Sequence, residues 1–475
     1  MTWRQRYAWL RHLVAEAAVL DVRALALGRV GMGVLLLYDL FVRAHDIGAL
    51  YSDAGLEPRN VLDPPVLPLF RIYFVVGSVA AVQVVFAIAA VIALALLLGF
   101  RTRLATAASW VLLVSLQARN GSVNQAGDDL LAMFLFWSLF LPLGARFSFD
   151  AWLRPRPADS NLVQGAGPFA FAGQLFLLYF ITGTLKANSI HWLMGNGIYD
   201  ALHAQEFVTS FGRWLHPHYY ILKLLSWATL LLEIFGPLLL FVSPRRWPVR
   251  LGLVLAFLGF HAGISLCMRI GMFSFVCMVG WLFLVPAGAF DRVLRRMPTE
   301  SPASRAPRAR WAQRLAATIF VYLVLAAMIS DQWPEGPVRN ILLKPARAFA
   351  WQEHWGMFVK PRDEAGFLAA RAMLANGTQV DLLRGGQPLT WDPPPLVIDL
   401  FANQRWRKML TGIIKSDNKD RAHRYLQWLC RTENAHRLGD HKVVNLVLTY
   451  VSQKLREPYV KGPPERKVLA LSKCE

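Results

Sequence analysis

Charge is scarce in this sequence, and most of it is of one sign. Of 475 residues only 17% are Asp, Glu, Lys or Arg, and 51 basic residues stand against 31 acidic ones, a formal charge of +20. Soluble chains are about a quarter charged. With 55% hydrophobic residues beside it, the shortage excludes an ordinary soluble protein. Cysteine is scarcer still. Cys267, Cys277, Cys430 and Cys474 form no C-x-x-C pair and no Cys/His cluster at zinc spacing, so no metal is expected. A Gly-rich phosphate loop, HExxH and GxSxG are also missing. So are solenoid repeats, and the pairs of broken helices that would point to a transporter. The basic residues flank apolar runs, and no recognised module accompanies them, which argues against nucleic-acid binding.

What the sequence has is long apolar runs. About nine of them, near 24–44, 73–99, 104–120, 129–145, 167–187, 221–242, 250–267, 270–289 and 315–331, approach the roughly 17 to 25 residues that a helix needs to cross a bilayer. The predicted fold class is an α-helical multi-pass membrane protein with about nine transmembrane helices. Lys and Arg concentrate in alternate loops, such as Arg4, Arg6 and Arg11, then Arg101 and Arg103, Arg245 and Arg246, and Arg292, Arg295 and Arg296. That asymmetry predicts an N-in/C-out orientation. Three units are expected. Residues 1–23 read as a cytoplasmic amphipathic segment with Trp3, Tyr7 and Trp9 at headgroup level. Residues 24–331 form the transmembrane domain and 332–475 an extracytoplasmic C-terminal domain of mixed α+β type. There GTQVDLL (377–383) alternates like a strand, RGGQP is a loop, and RAHRYLQWLCRTENAHR has helical spacing. Residues 298–313 read as a Pro/Ser/Arg linker. Cys430 and Cys474 share an oxidising compartment on this topology, either as a disulfide or as two thiols.

Ionisable side chains within spans are costly, which makes them functional candidates. Arg29, Asp39, Asp128, Asp129, Lys186, Glu233, His261 and Arg269 qualify, and each has a bland alternative. Arg29 and Asp39 snorkel or pair with a neighbouring helix. Glu233 in LLLEIFGPLLL and His261 in LAFLGFHAGISL make hydrogen bonds between helices. Lys186 ends the run in YFITGTLKANSIHW. It is either a helix-end cation favoured by the helix dipole or an amine that its apolar surroundings leave free to act as a base. The stretch after it, with Asn188, His191, Trp192, Asn196, Tyr199 and His203, is rich in aromatic and hydrogen-bonding groups, as over a pocket that opens at the membrane surface.

Five stretches then carry a resemblance. In order, ALALGRVGMGVLLLYDLFVRAHDIGALYSDAG, LLGFRTRLATAASWVLL, DDLLAMFLFWSLFLPLGARFSFD, YFITGTLKANSIHW and GFHAGISLCMRIGMFSFVCM resemble the horizontally transferred transmembrane (HTTM) domain. This is the membrane part of vitamin K-dependent gamma-glutamyl carboxylase and its bacterial relatives. The similarity covers roughly residues 20 to 290. WQEHWGMFVKPRDEAGF, NGTQVDLLRGG and RWRKML look like the outer domain common among bacterial members.

The resemblance implies an enzyme. Lys186 falls on the position of the lysine that deprotonates vitamin K hydroquinone, whose reaction with oxygen yields the epoxide and a strong base. That base takes a γ proton from a glutamate, and CO2 adds to the carbanion. The candidate site is therefore Lys186 as catalytic base, with His261, Asn124 and Trp192 around vitamin K hydroquinone or another quinone. His191, Glu233 and Asp128 line the pocket. Where the carboxylases carry Asn-Asn-His, this chain reads VNQAGDDLL, with Ala126 or Gly127 in the histidine's place. Asp128 or Asp129 is the candidate to hold the lysine instead. Expected partners are membrane lipid and a secreted peptide or protein, and the expected location is a bacterial inner membrane with the C-terminal domain outside the cytoplasm. The alternative is a non-enzymatic lipid- or quinone-binding protein, or a partner in export or maturation of a secreted peptide.

Overall fold

The computed structural model describes residues 19–154, 161–241, 246–294, 310–332, 334–349, 356–416, 418–456 and 460–474, with residues 3, 5, 304, 305 and 351 besides. The predicted surface segment at the N-terminus, including Tyr7 and Trp9, and most of the 298–313 linker lie outside the described residues.

Apolar stripes at helical spacing build a bundle from α1 (Val22–Ala44), α2 (Val79–Leu98), α3 (Thr102–Arg119), α4 (Ala126–Ser138), α5 (Ala166–Ala187), α6 (Tyr219–Phe235), α7 (Trp247–Cys267), α8 (Phe273–Leu282), α9 (Ala287–Val293) and α10 (Arg310–Gln332). Helix α2 shows how one apolar sequence serves two solvents. Val82, Phe86, Ala89, Ala93 and Leu96 are buried, while Val84, Ile88 and Val91 are 59%, 51% and 68% exposed on another face. Exposed aliphatic side chains at i, i+4 and i+7 suit lipid, which is as apolar as they are. Ser78 caps the helix by accepting the Ala81 N–H at 3.3 Å.

Among the described residues, five helices are long and apolar enough to cross a membrane: α1, α2, α5, α6 (with its continuation to Leu240) and α7. Helices α8 and α9, bent by 77° at their break, make a sixth if taken as one span. The break precedes Pro286, which cannot continue a helix. The sequence predicted about nine spans, and the shortfall has a physical reason. Helix α4 has 13 residues, about 20 Å at 1.5 Å per residue, against a hydrocarbon core of about 30 Å. Helix α3 buries Ser109, Ser115, Gln117 and Arg119. Both are packed inside protein, where short or polar helices are tolerated. In α10 the apolar part is Trp311–Ala327.

A further helix, α11 (Pro337–Ala348), returns to the bundle. Beyond it, Phe349 stacks on Trp351 at 4.6 Å, and Trp351 meets Phe136 of α4 at 4.7 Å. The remainder is a five-stranded antiparallel sheet in the order β3-β2-β1-β4-β5, from β1 (Glu364–Leu374), β2 (Gln379–Asp381), β3 (Gln387–Pro388), β4 (Val443–Arg456) and β5 (Val460–Lys473). Helices α12 (Gln404–Ser416) and α13 (Lys419–Asn434) connect β3 to β4. The strand at GTQVDLL and the helix at RAHRYLQWLC are where the alternation and the helical spacing put them.

Cys430 of α13 and Cys474 beyond β5 form a disulfide across a separation of 44 residues. A link of that length constrains the unfolded chain by about 4 kcal/mol on the chain-entropy account. Cys474→Ser is expected to lower the stability of this region by about 2–4 kcal/mol. The check is the denaturation midpoint: reductant should reproduce the drop in the parent and add nothing in the variant.

The sheet region is fused to one end of the bundle through a shared core. Leu50, Tyr51, Phe86 and Leu116 from the bundle belong to the same buried cluster as Leu368, Trp406, Met409 and Leu426. The outer region is thus held by apolar packing and not by a linker alone.

Candidate functional site

Lys186 lies in the last turn of α5 and is buried, as is Glu233 of α6. The Lys186 ammonium donates to both carboxylate oxygens of Glu233, at 2.8 and 2.9 Å. Gly183, one turn earlier, makes this possible. A Cβ there would meet Ile234 Cγ1 at 2.8 Å and Glu233 Cβ at 3.0 Å, so only glycine lets α6 approach this closely. The Trp192 ring covers the ammonium at 4.6 Å, a cation–π contact. Trp192 is itself pinned, its indole N–H donating to the Phe358 carbonyl at 2.8 Å. Phe358 has φ +57°, a strained conformation for a residue with a bulky side chain.

Two turns before Lys186 on α5 stands Tyr179. Its hydroxyl accepts the Trp281 indole N–H at 3.0 Å and lies 2.7 Å from His261 Nε2. Tyr179, His261 and Trp281 are all buried, from α5, α7 and α8. His261 Nδ1 is also buried and has no hydrogen-bond partner among the described residues. An orphaned buried ring nitrogen is costly, and it leaves one position for a polar ligand atom. His191 Nδ1 sits 3.1 Å from Asp200 Oδ2 in the loop after α5. Farther along that loop His203 and His216 stack at 4.5 Å, and burial pulls His216 below its ordinary range.

Chemically, the arrangement is a compensated ion pair in an apolar interior beside a Tyr–His pair. Burying both ions costs several kcal/mol, and their bidentate contact offsets much of that cost. Transfer of one proton across the 2.8 Å bond leaves both groups neutral, and in that state the amine has a lone pair to accept a proton. Any basic role of Lys186 therefore runs through Glu233.

Asn124 and Asp128 stand elsewhere. Asn124 donates to the Gln117 carbonyl at 2.9 Å, and no hydrogen bond joins it or Asp128 to Lys186 among the described residues. Asp128 belongs to a four-charge layer between the bundle and the outer region. Arg43 donates to Asp39 at 2.8 Å and to Asp128 at 2.9 Å, and Arg405 of α12 to Asp39 at 2.6 Å and Asp128 at 2.7 Å. The expectation that Asp128 or Asp129 holds the lysine is thus corrected for Asp128. Two buried arginines claim that carboxylate, and Glu233 takes the lysine.

Sequence reading missed Tyr179, Trp281 and Arg405. Tyr179 had a signal, since residues seven apart share a helix face. Arg405 had none, because its partners are 277 and 366 residues away.

The HTTM domain family matches residues 18–287, more than half of the chain. No curated protein and no solved structure matches it. The matched region contains α1 to α8 and every residue of the Lys186–Glu233 and Tyr179–His261 groups, embedded in helices fit for lipid. The chain is a membrane protein belonging to the HTTM domain family.

Proposed function

We propose that this protein is a membrane-embedded enzyme related to the gamma-glutamyl carboxylases, acting on a secreted peptide or protein with a lipid-soluble hydroquinone as cofactor. The observation that carries the reading is the Lys186–Glu233 pair, two ions kept together in an apolar interior at 2.8 Å under the ring of Trp192. Ionisable pairs at such depth mark functional sites by default.

The residues suit a quinol. His261 Nδ1 is an unclaimed buried polar atom, and Trp192 offers a ring. When bound, the hydroquinone would supply, with oxygen, a base stronger than any side chain. Lys186 would take the quinol proton after its own has passed to Glu233, Glu233 would give that proton back only after Lys186 has released the other, and His261 would orient the ligand from a ring fixed by Tyr179. The packed wall of Phe257, Trp281 and Phe273 excludes the water that would quench a strong base. The Asn124 NH2 is committed to the Gln117 carbonyl, while its Oδ1 is buried with no hydrogen-bond partner among the described residues, which keeps Asn124 in this reading as an acceptor and not as a donor. The proposed orientation is N-in/C-out in a bacterial inner membrane, with all nine apolar segments at membrane depth. It draws support from the arginine-rich loops and from the Cys430–Cys474 disulfide, which suits an oxidising compartment.

A second reading has its own observation. A lysine closed by a bidentate carboxylate is also what a purely structural pair looks like, which favours a non-enzymatic quinone- or lipid-binding protein or a maturation partner. The test is incubation of the purified protein with reduced vitamin K, labelled bicarbonate and a glutamate-containing peptide, for wild type and Lys186→Ala, with extraction of bound lipids. Label in the peptide that disappears in the variant supports the enzyme. Co-purifying quinone without label moves the protein to the binding reading.

A further inference from the structure

A cleft of about 410 Å³ opens where the bundle meets the outer region, between the end of α1, the α7–α8 turn and the start of α12. It is apart from the Lys186 group. One wall is apolar, with Tyr38, Met268, Phe275 and Phe401. Tyr38 and Phe275 are about half exposed on the faces of α1 and α8 that suit lipid. The other wall carries Gln125, Arg269, Gln404 and Arg407. Gly271, with φ +80°, forms the turn beneath them. A Cβ on it would strike Gln125 Oε1 at 2.4 Å, so the turn is shaped for close approach.

Arg407 is the unusual group. It is 7% exposed, its Nε has no hydrogen-bond partner among the described residues, and its Nη2 reaches only Gln404 Oε1 at 3.4 Å. Its guanidinium lies over the Phe207 ring at 4.1 Å. Glu206 is near, but Arg362 is bonded to it. Burial lowers Arg407 to about 10, which leaves it charged at neutral pH. Arg405, also on the cleft wall, is already compensated by Asp39 and Asp128. Arg269 meets Asp399 at 3.0 Å in an exposed pair, a contact that is worth little and easily exchanged. A buried guanidinium with open donors normally faces an anion.

We propose that this cleft is a binding site for an anionic phospholipid, its phosphate on Arg407 and Arg269 and its acyl chain leaving between Tyr38 and Phe275 into the bilayer. Lipid is favoured over a soluble anion because the apolar wall continues onto the exposed face of α1, where Val34 and Phe41 are 50% and 65% exposed.

The experiment is native mass spectrometry of the full chain released from nanodiscs of phosphatidylcholine with and without phosphatidylglycerol. Wild type should retain phosphatidylglycerol selectively. Arg407→Gln should weaken that retention by about tenfold or more, as expected for loss of charge-assisted hydrogen bonds. Ser265→Phe, which puts bulk into the cleft and leaves both arginines in the sequence, should do the same. That second variant keeps the test decisive if Arg407→Gln does not fold. Equal retention by wild type and Ser265→Phe would overturn the site. Displacement of the lipid by free glycerol phosphate would assign it to a soluble phosphate, and displacement by an acidic peptide to a polypeptide partner; either overturns the lipid assignment.

Discussion

Lys186→Met is expected to lower the stability of the bundle by about 3–5 kcal/mol, because it leaves the Glu233 carboxylate buried without its cation. Glu233→Gln alone is expected to fall in the same range for the mirrored reason. The double variant Lys186→Met/Glu233→Gln should regain most of the loss, since no buried charge remains and neutral side chains of similar volume replace the pair. Thermal unfolding of the four proteins in one detergent measures the coupling. Simple addition of the two single losses would mean that the pair does not act as a unit. The double variant also sharpens the functional test. A folded double variant that no longer labels peptide assigns the loss to the function of the pair and not to unfolding, which a single alanine substitution cannot do.

Arg405→Ala is the second large effect, again about 3–5 kcal/mol. It leaves Asp39 and Asp128 sharing Arg43 alone, turning a layer of two cations and two anions into one with a net negative charge. The loss should show as loosening of the outer region, with faster proteolysis of residues 356–363, before the bundle melts. Arg421→Ala is the control. Arg421 is one of two arginines on Glu57 and is partly exposed, so its removal is expected to cost about 1 kcal/mol or less. If the two variants lose equal stability, the buried layer does not dock the outer region. Asp128→Asn in the Arg405→Ala background should recover part of the loss, because it removes the stranded carboxylate.

The contrast between Lys186 and Asp128 shows how far the sequence could be read. A lysine at the end of an apolar run is conspicuous in one dimension, and so is a carboxylate in LLLEIFGPLLL. Their meeting is not, because 47 residues separate them and helix order alone does not say which helices touch. Asp128, expected with Asp129 as an alternative to hold the lysine, finds its partners instead on α1 and on a helix 277 residues later. The short helices show a second limit. Hydropathy sees that α4 is apolar but not that protein surrounds it, and only that surrounding relieves a 13-residue helix of the need to match the bilayer.

By itself, the sequence determined the membrane class, the apolar segments and the α+β character of the C-terminal region, which rest on local composition and periodicity that the backbone turns into structure whatever lies beside it. The family rests on the resemblance of five stretches. Only the tertiary structure decided that Glu233 holds Lys186, that Tyr179 fixes His261, and that Arg405 closes the layer between bundle and outer region. It also decided that Arg407 is buried with open donors. Each of these depends on which helices lie side by side. In a low-dielectric interior a charge takes whatever counter-ion packing brings within about 3 Å.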